Sequence, residues 1–351
     1  MNCSVVILSS LTEGTGNRTT AQRLQKHLES ANFKVLLCGI DNFQEPNSLK
    51  SFVVEHNVQV AIGIHLVRAG GLLVTLDIPF IIIAGGTDLN VLTEDGSAIR
   101  LMKEVLEKSQ RLVVFTDSAR RIASEAWPSL DLNITVQPQC VQTSPTEFSF
   151  DELFHEYNSN RIEVVPEKTF LLVGGIRPVK DPLFVAQTVS TMYSTDPSIR
   201  LVIVGPELDA EFATQCRTTA AGLAGVHLFP TQPPSRVHSL MQQCCALVNS
   251  SISEGMCGAL LEAMSLGTPV LARHNEGNLS IVTDNENGLI FQSCAEFEKK
   301  AWLLLKDGSL RRRLVENGRR YIEENHSMEK ERDVYVDLVK QALVPPRLSV
   351  E

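Results

Sequence analysis

Long hydrophobic runs are missing from this 351-residue chain: stretches such as Phe80 to Ala84 have strand length, far short of the ~20 apolar residues of a membrane-spanning helix. With 43% hydrophobic and 21% charged residues, the composition also excludes a disordered or fibrous chain. Positive charge is not in surplus. The 32 Lys and Arg face 41 Asp and Glu, a net charge of −9, which gives no sign of a duplex-binding surface and leaves room for a small anionic ligand held by a few local cations. Cysteine is scarce as well: 8 residues, most of them in apolar stretches such as the one around Cys38, read as buried thiols rather than a disulfide framework. The first residues lack the basic segment of a secretory signal. The expectation is a soluble cytoplasmic chain without a transmembrane segment, with secretion as the alternative. Asn-x-Ser/Thr sequons at Asn2, Asn17, Asn133, Asn278 and Asn325 have meaning only in the second case. Low-complexity tracts and short-period repeats are absent too.

At about 150 residues per domain, the length suits two domains. The first half alternates β-rich runs (3–10, 34–39, 58–64, 79–85, 111–116, 133–137) with helical periodicity. Ala21, Leu24, Leu28 and Ala31 fall on one helical face, and further helices fit 67–76, 97–109 and 118–127. Runs such as Phe80–Ala84 are apolar without alternation, the pattern of a parallel sheet covered on both faces. Residues 138–168 break this rhythm. A second series then runs through strands at 169–175, 200–205, 225–230, 245–250, 268–273 and 287–291, with helices at 181–194, 208–221, 234–243, 258–266 and 294–306. After 308 only charged helix remains; Arg311–Arg313 read as a solvated face. The final segment carries Val334, Leu338 and Val339 at helical spacing before Pro345 and Pro346. The expected fold is α/β: two Rossmann-like, doubly wound domains facing a central cleft, spanning 1–160 and 161–325. A helix and tail at 326–351 cross back to the first domain.

Chemistry concentrates at the ends of the second-domain strands, where open α/β sheets bind ligands. Glu254 and Glu262 flank a turn, Gly255-Met256-Cys257-Gly258, that leads into a helix. Gly258 permits close approach, and free N–H groups at a helix start favour an anion. After the strand at 169–175, Gly174 and Gly175 precede Arg177 and Lys180, two cations placed to converge on a diphosphate. In the first domain Gly14 and Gly16 follow the first strand. They do not complete a dinucleotide fingerprint, because Thr19 stands where its third glycine belongs, so a nicotinamide oxidoreductase ranks last. His65 and Asp88 lie at the ends of two other strands. Cys244 and Cys245 lack the partners of a zinc site.

Together these motifs resemble the group one family of retaining glycosyltransferases with two Rossmann-like domains, over nearly the whole chain and most strongly from Phe170 to Phe291. The resemblance implies transfer of a sugar, with retention, from a nucleotide-diphosphate sugar to an unidentified acceptor, with neither metal nor cofactor. It assigns the diphosphate to Arg177 and Lys180, the transferred sugar to Glu254 and the ribose to Glu262. Backbone amides of Gly255, Met256, Cys257 and Gly258 are assigned to sugar and phosphate, the Gly14/Gly16 loop to the donor phosphates, and His65 and Asp88 to the acceptor side. The chain departs from the family where a histidine commonly precedes the second glycine of the segment Gly85-Gly86-Thr87-Asp88, and at Ser280, where a glutamate is frequent. Those departures motivate the alternative of a non-catalytic nucleotide-sugar-binding protein.

Overall fold

The computed structural model describes residues 3–43, 46–85, 88–89, 96–157 and 163–344. The chain forms two compact units, Met1–Gln139 with Met328–Glu351, and Cys140–Ser327.

The first unit holds a six-stranded sheet in the order β2-β1-β3-β4-β5-β6: β1 (Ser4–Ser9), β2 (Lys34–Gly39), β3 (Val58–Ile64), β4 (Phe80–Ile83), β5 (Arg111–Val114) and β6 (Ile134–Val136). All neighbouring strands are parallel. Both faces are covered, so Val5 to Leu8 and Ile81 to Ile83 are fully buried, which explains their unbroken apolar runs. The strand order reverses between β1 and β3. Helix Gly16–Ser30 returns the chain from β1 and buries Ala21, Leu24 and Leu28; Ala31 follows its last turn.

Helix Met328–Ala342 packs on that helix, so the carboxyl-terminal segment does belong to the first unit. Its buried stripe is Glu331, Tyr335, Leu338, Val339 and Ala342, joined by Val336, while Val334 is only half-buried. The face is turned relative to the sequence expectation because Glu331 anchors it. The Arg23 guanidinium donates to both Glu331 oxygens (2.7 and 3.1 Å), and His27 Nε2 lies 2.9 Å from Oε2.

The second unit has a parallel six-stranded sheet in the order β12-β11-β10-β7-β8-β9: β7 (Thr169–Val173), β8 (Arg200–Val204), β9 (Val226–Phe229), β10 (Ala246–Asn249), β11 (Val270–Arg273) and β12 (Leu289–Phe291). This is the Rossmann order, reversing between β7 and β10. The unit begins at Cys140, earlier than the expected boundary at 160/161. Long-range bonds decide this. Ser144 N donates to His238 Nδ1 (3.1 Å) and Thr146 N to Ser239 Oγ (2.8 Å), while the Phe154 ring packs 4.9 Å from Phe229. Among the described residues no helix is long and apolar enough to cross a membrane.

Candidate active site

The reversal between β7 and β10 sets the loops after these strands side by side at the carboxyl edge of the second sheet, with Leu171 of β7 opposite Leu247 of β10. After β7 the chain runs closely along the loop after β8: Ile176 N donates to Pro206 O (2.7 Å), and a side chain on Gly175 would collide with Leu208. A 3-10 turn, Pro178–Lys180, follows and ends on Asp181 in the left-handed region (φ 41°). Arg177 opens this turn; its Nε is buried and has no hydrogen-bond partner among the described residues.

After β10 the chain turns through Glu254, whose residue is 9% exposed. One carboxylate oxygen, Oε1, accepts from Lys180 Nζ (2.5 Å), Ser251 Oγ (2.7 Å) and Asn249 Nδ2 (3.0 Å). Burial pushes this carboxyl up, but the Lys180 charge and the hydrogen bonds from Lys180, Ser251 and Asn249 outweigh it and hold the group below its ordinary range. Glu254 is therefore an anion at neutral pH.

Asn249 ties this wall together, donating also to Cys257 Sγ (3.1 Å) and accepting from Ser251 N (3.1 Å) and Asn278 Nδ2 (2.9 Å). Neither Asn249 nor Ser251 belongs to a motif. The available signal was a polar residue ending the buried run of β10. Asn278 is fully buried, its Nδ2 donating to Asn249 Oδ1 (2.9 Å) and to the Arg273 carbonyl (2.8 Å). Gly277 must lack a side chain, which would strike the Glu254 backbone.

Gly255 and Gly258 are half-exposed, while Met256 and Cys257 are buried. Burial first, then the Glu254 charge, pushes the Cys257 thiol up to about 12, so it stays neutral and unreactive. Helix Gly258–Leu266 has no acidic residue in its first turn, and open space surrounds the place a Gly258 side chain would occupy. An anion can approach its N–H groups there. Glu262, half-buried in the second turn, has His238 Nε2 3.7 Å from its Oε2. Lys180 and Glu254, separated by 74 positions in sequence, are thus brought into contact.

In the first unit, exposed Gly14 (φ 71°) and Gly16 form the turn from β1 into its helix. His65 follows β3 with φ 93°, a strained value for a residue with a side chain. Its Nδ1 lies 2.7 Å from Oδ1 of Asp88, which is fully buried and whose Oδ2 accepts from Leu66 N (2.9 Å) and Gly85 N (2.7 Å). The two groups are in ion-pair range without a hydrogen bond between them, since Asp88 Oδ1 has no hydrogen-bond partner among the described residues and His65 Nδ1 accepts from Arg68 N (3.4 Å). Gly86 and Thr87 lie outside the described residues.

Comparison with known proteins decides the family. The model of glycosyl transferases group 1 matches residues 157–321, which include Arg177, Lys180, Glu254 and Glu262. A relative from Xenopus tropicalis, glycosyltransferase 1 domain-containing protein 1, is 35% identical over 336 residues, covering 95% of this chain and 97% of its own. The chain belongs to the group 1 glycosyltransferase family. A D-inositol 3-phosphate glycosyltransferase from Acidothermus cellulolyticus is 32% identical to this glycosyltransferase over 211 residues, 56% of this chain and 45% of that one. Among solved structures, sucrose-phosphate synthase from Thermosynechococcus elongatus superimposes with a TM-score of 0.78 at 15% identity, over 97% of this chain and 99% of that one. HepE from Anabaena, in complex with UDP and glucose, gives 0.76 at 12% identity, over 97% and 100%. At these identities the two structures establish that this glycosyltransferase shares their two-domain α/β fold.

Proposed function

We propose that this glycosyltransferase moves a sugar from a nucleotide-diphosphate donor to an acceptor hydroxyl with retention of configuration and without a metal. The observation that carries the reading is the Lys180–Glu254 contact at the strand-order reversal, beside Arg177 and the open start of helix Gly258–Leu266. A cationic turn next to an ionised, hydroxyl-accepting carboxylate suits a diphosphate bonded to a sugar. HepE, whose structure holds UDP and glucose, supports UDP as a nucleotide to test first.

In this reading the second unit binds the donor. Arg177 and Lys180 take the diphosphate, Glu254 the sugar and Glu262 the ribose, while amides of Gly255 to Gly258 face phosphate and sugar. From the first unit, His65 and Asp88 serve the acceptor side, Asp88 holding the backbone next to His65 through Leu66 N, and the Gly14/Gly16 loop supplies open backbone to the donor phosphates. The acceptor oxygen bonds to the anomeric carbon as the bond from that carbon to the diphosphate oxygen breaks on the same face. The acceptor proton passes to the departing phosphate, whose charge Arg177, Lys180 and the helix amides stabilise. A reducing, cytoplasmic setting is supported by cysteines packed as core residues, six of the eight being buried.

A panel of labelled nucleotide sugars and acceptors, assayed with excess chelator, tests this reading. Product with retained anomeric configuration is expected. Donor binding with neither transfer nor donor hydrolysis across the panel would favour the nucleotide-sugar-binding protein instead, and activity restored only by a divalent ion would refute metal independence.

A further inference from the structure

We infer that Arg273, at the carboxyl end of β11, is a positioning residue that holds Lys180 in register for the donor diphosphate. The inference rests on the proposed donor reading of the Arg177–Lys180 turn and extends it to a residue outside the proposed donor contacts.

Arg273 Nη1 donates to Asp181 Oδ2 (2.8 Å) and to the Ser250 carbonyl (3.1 Å), and its guanidinium carbon sits 3.7 Å from the centre of the Phe184 ring. Asp181 directly follows Lys180 and holds a left-handed backbone (φ 41°), which disfavours a residue with a side chain unless neighbours impose it. Further tethers come from the loop after β10. The Ser250 hydroxyl is shared between the carbonyls of Lys180 (3.1 Å) and Asp181 (2.8 Å), and Ile252 N donates to Val179 O (2.9 Å). The turn is thus fastened at three successive residues, and Arg273 supplies the side-chain fastening.

Side-chain exposures of 22% for Arg273 and 33% for Asp181 make this a partly solvated pair, of the kind that adds little to global stability. What it fixes is local. With the Asp181 side chain released, the turn keeps its Ser250 and Ile252 tethers but loses the side-chain restraint on the residue next to Lys180, whose ammonium must serve both Glu254 and a phosphate. Lysine cannot reproduce the arrangement fully, because it lacks the flat guanidinium that stacks on Phe184 while donating at its edge.

The test is calorimetric affinity for whichever of UDP, GDP and ADP the wild type binds best, with melting temperatures recorded alongside. Arg273→Met should weaken binding about tenfold while the protein stays folded, and Arg273→Lys should recover part of the loss. In a Lys180→Ala background the same Arg273→Met change should cost no more than about twofold, since its route to the ligand is already gone. Asp181→Asn probes the link from the other side should Arg273→Met fail to fold. Wild-type affinity in both folded single variants, or an undiminished loss in the Lys180→Ala background, would overturn the inference. If Lys180→Ala weakens binding while Arg273→Met does not, the positioning role alone falls. If Lys180→Ala binds as tightly as the wild type, the diphosphate reading falls with it.

Discussion

Glu254 and Lys180 constrain each other, and that coupling separates the two glutamates of the motif. Glu254→Gln keeps the shape of the side chain but removes the charge that draws Lys180. Transfer should fall by about a hundredfold or more, because the sugar loses a charged hydrogen-bond partner, whereas affinity for free nucleoside diphosphate should stay level or rise as Lys180 is released. Glu262→Gln should weaken free nucleotide and intact donor alike, since both contain ribose. Calorimetry on the two variants beside single-turnover rates checks the division; a large loss of free-nucleotide affinity in Glu254→Gln would remove it. His227 supplies a second prediction at this scale. Burial, assisted by the Arg200 charge, pulls its imidazole down to about 4 from the ordinary 6.5. The unfolded chain therefore takes up a proton between these values that the folded unit refuses, and stability falls as pH drops from about 6.5 to about 4. After discounting for partial exposure the loss is on the order of 2 kcal/mol. Denaturant unfolding at pH 7 and pH 4.5 should show a smaller pH-dependent difference in His227→Phe than in the wild type. The motif residues were legible in the sequence because their types and spacing carry chemistry. Asn249 and Ser251 were not, since their importance arises only when the chain after β10 curls back and aims both at one carboxylate oxygen.

Most elements were legible for a simple reason. Strands buried on both faces leave continuous apolar runs, and the helices between them carry a one-sided stripe. Helix 234–243, for example, occurs where expected, at Pro234–Gln243, and so does helix Gly258–Leu266, which stops at Gly267 in the left-handed region (φ 80°). Less legible was the face of the last helix. Its apolar residues allow more than one stripe, and the choice falls to a charged residue, Glu331, whose partners Arg23 and His27 come from the other end of the chain. Glu331 is 1% exposed, so Glu331→Ala leaves the Arg23 charge buried beside an empty space. The variant should lose about 3–5 kcal/mol of stability, read as a lowered denaturation midpoint. Nucleotide affinity at temperatures where the variant is folded should be unchanged, because Arg177, Lys180, Glu254 and Glu262 lie in the second unit, Cys140–Ser327.

At the scale of the whole molecule, two parallel sheets with different strand orders share one chain, and the sequence rhythm revealed their number. It did not reveal where one ends. Residues 140–149 lack periodicity, and their membership is settled by backbone groups of Ser144 and Thr146 meeting a helix far along the sequence. Arg177, Lys180, Glu254 and Glu262 all fall in the second unit, at its strand-order reversal, while Gly14, Gly16, His65 and Asp88 fall in the first. Donor recognition should accordingly be measurable without any knowledge of the acceptor. The most direct test is calorimetric titration of the wild type, Arg177→Ala and Lys180→Ala with UDP, GDP and ADP in the presence of chelator. The account predicts that the wild type binds at least one of these without metal and that each variant binds it about tenfold or more weakly while remaining folded. Wild-type affinity in both folded variants would contradict it.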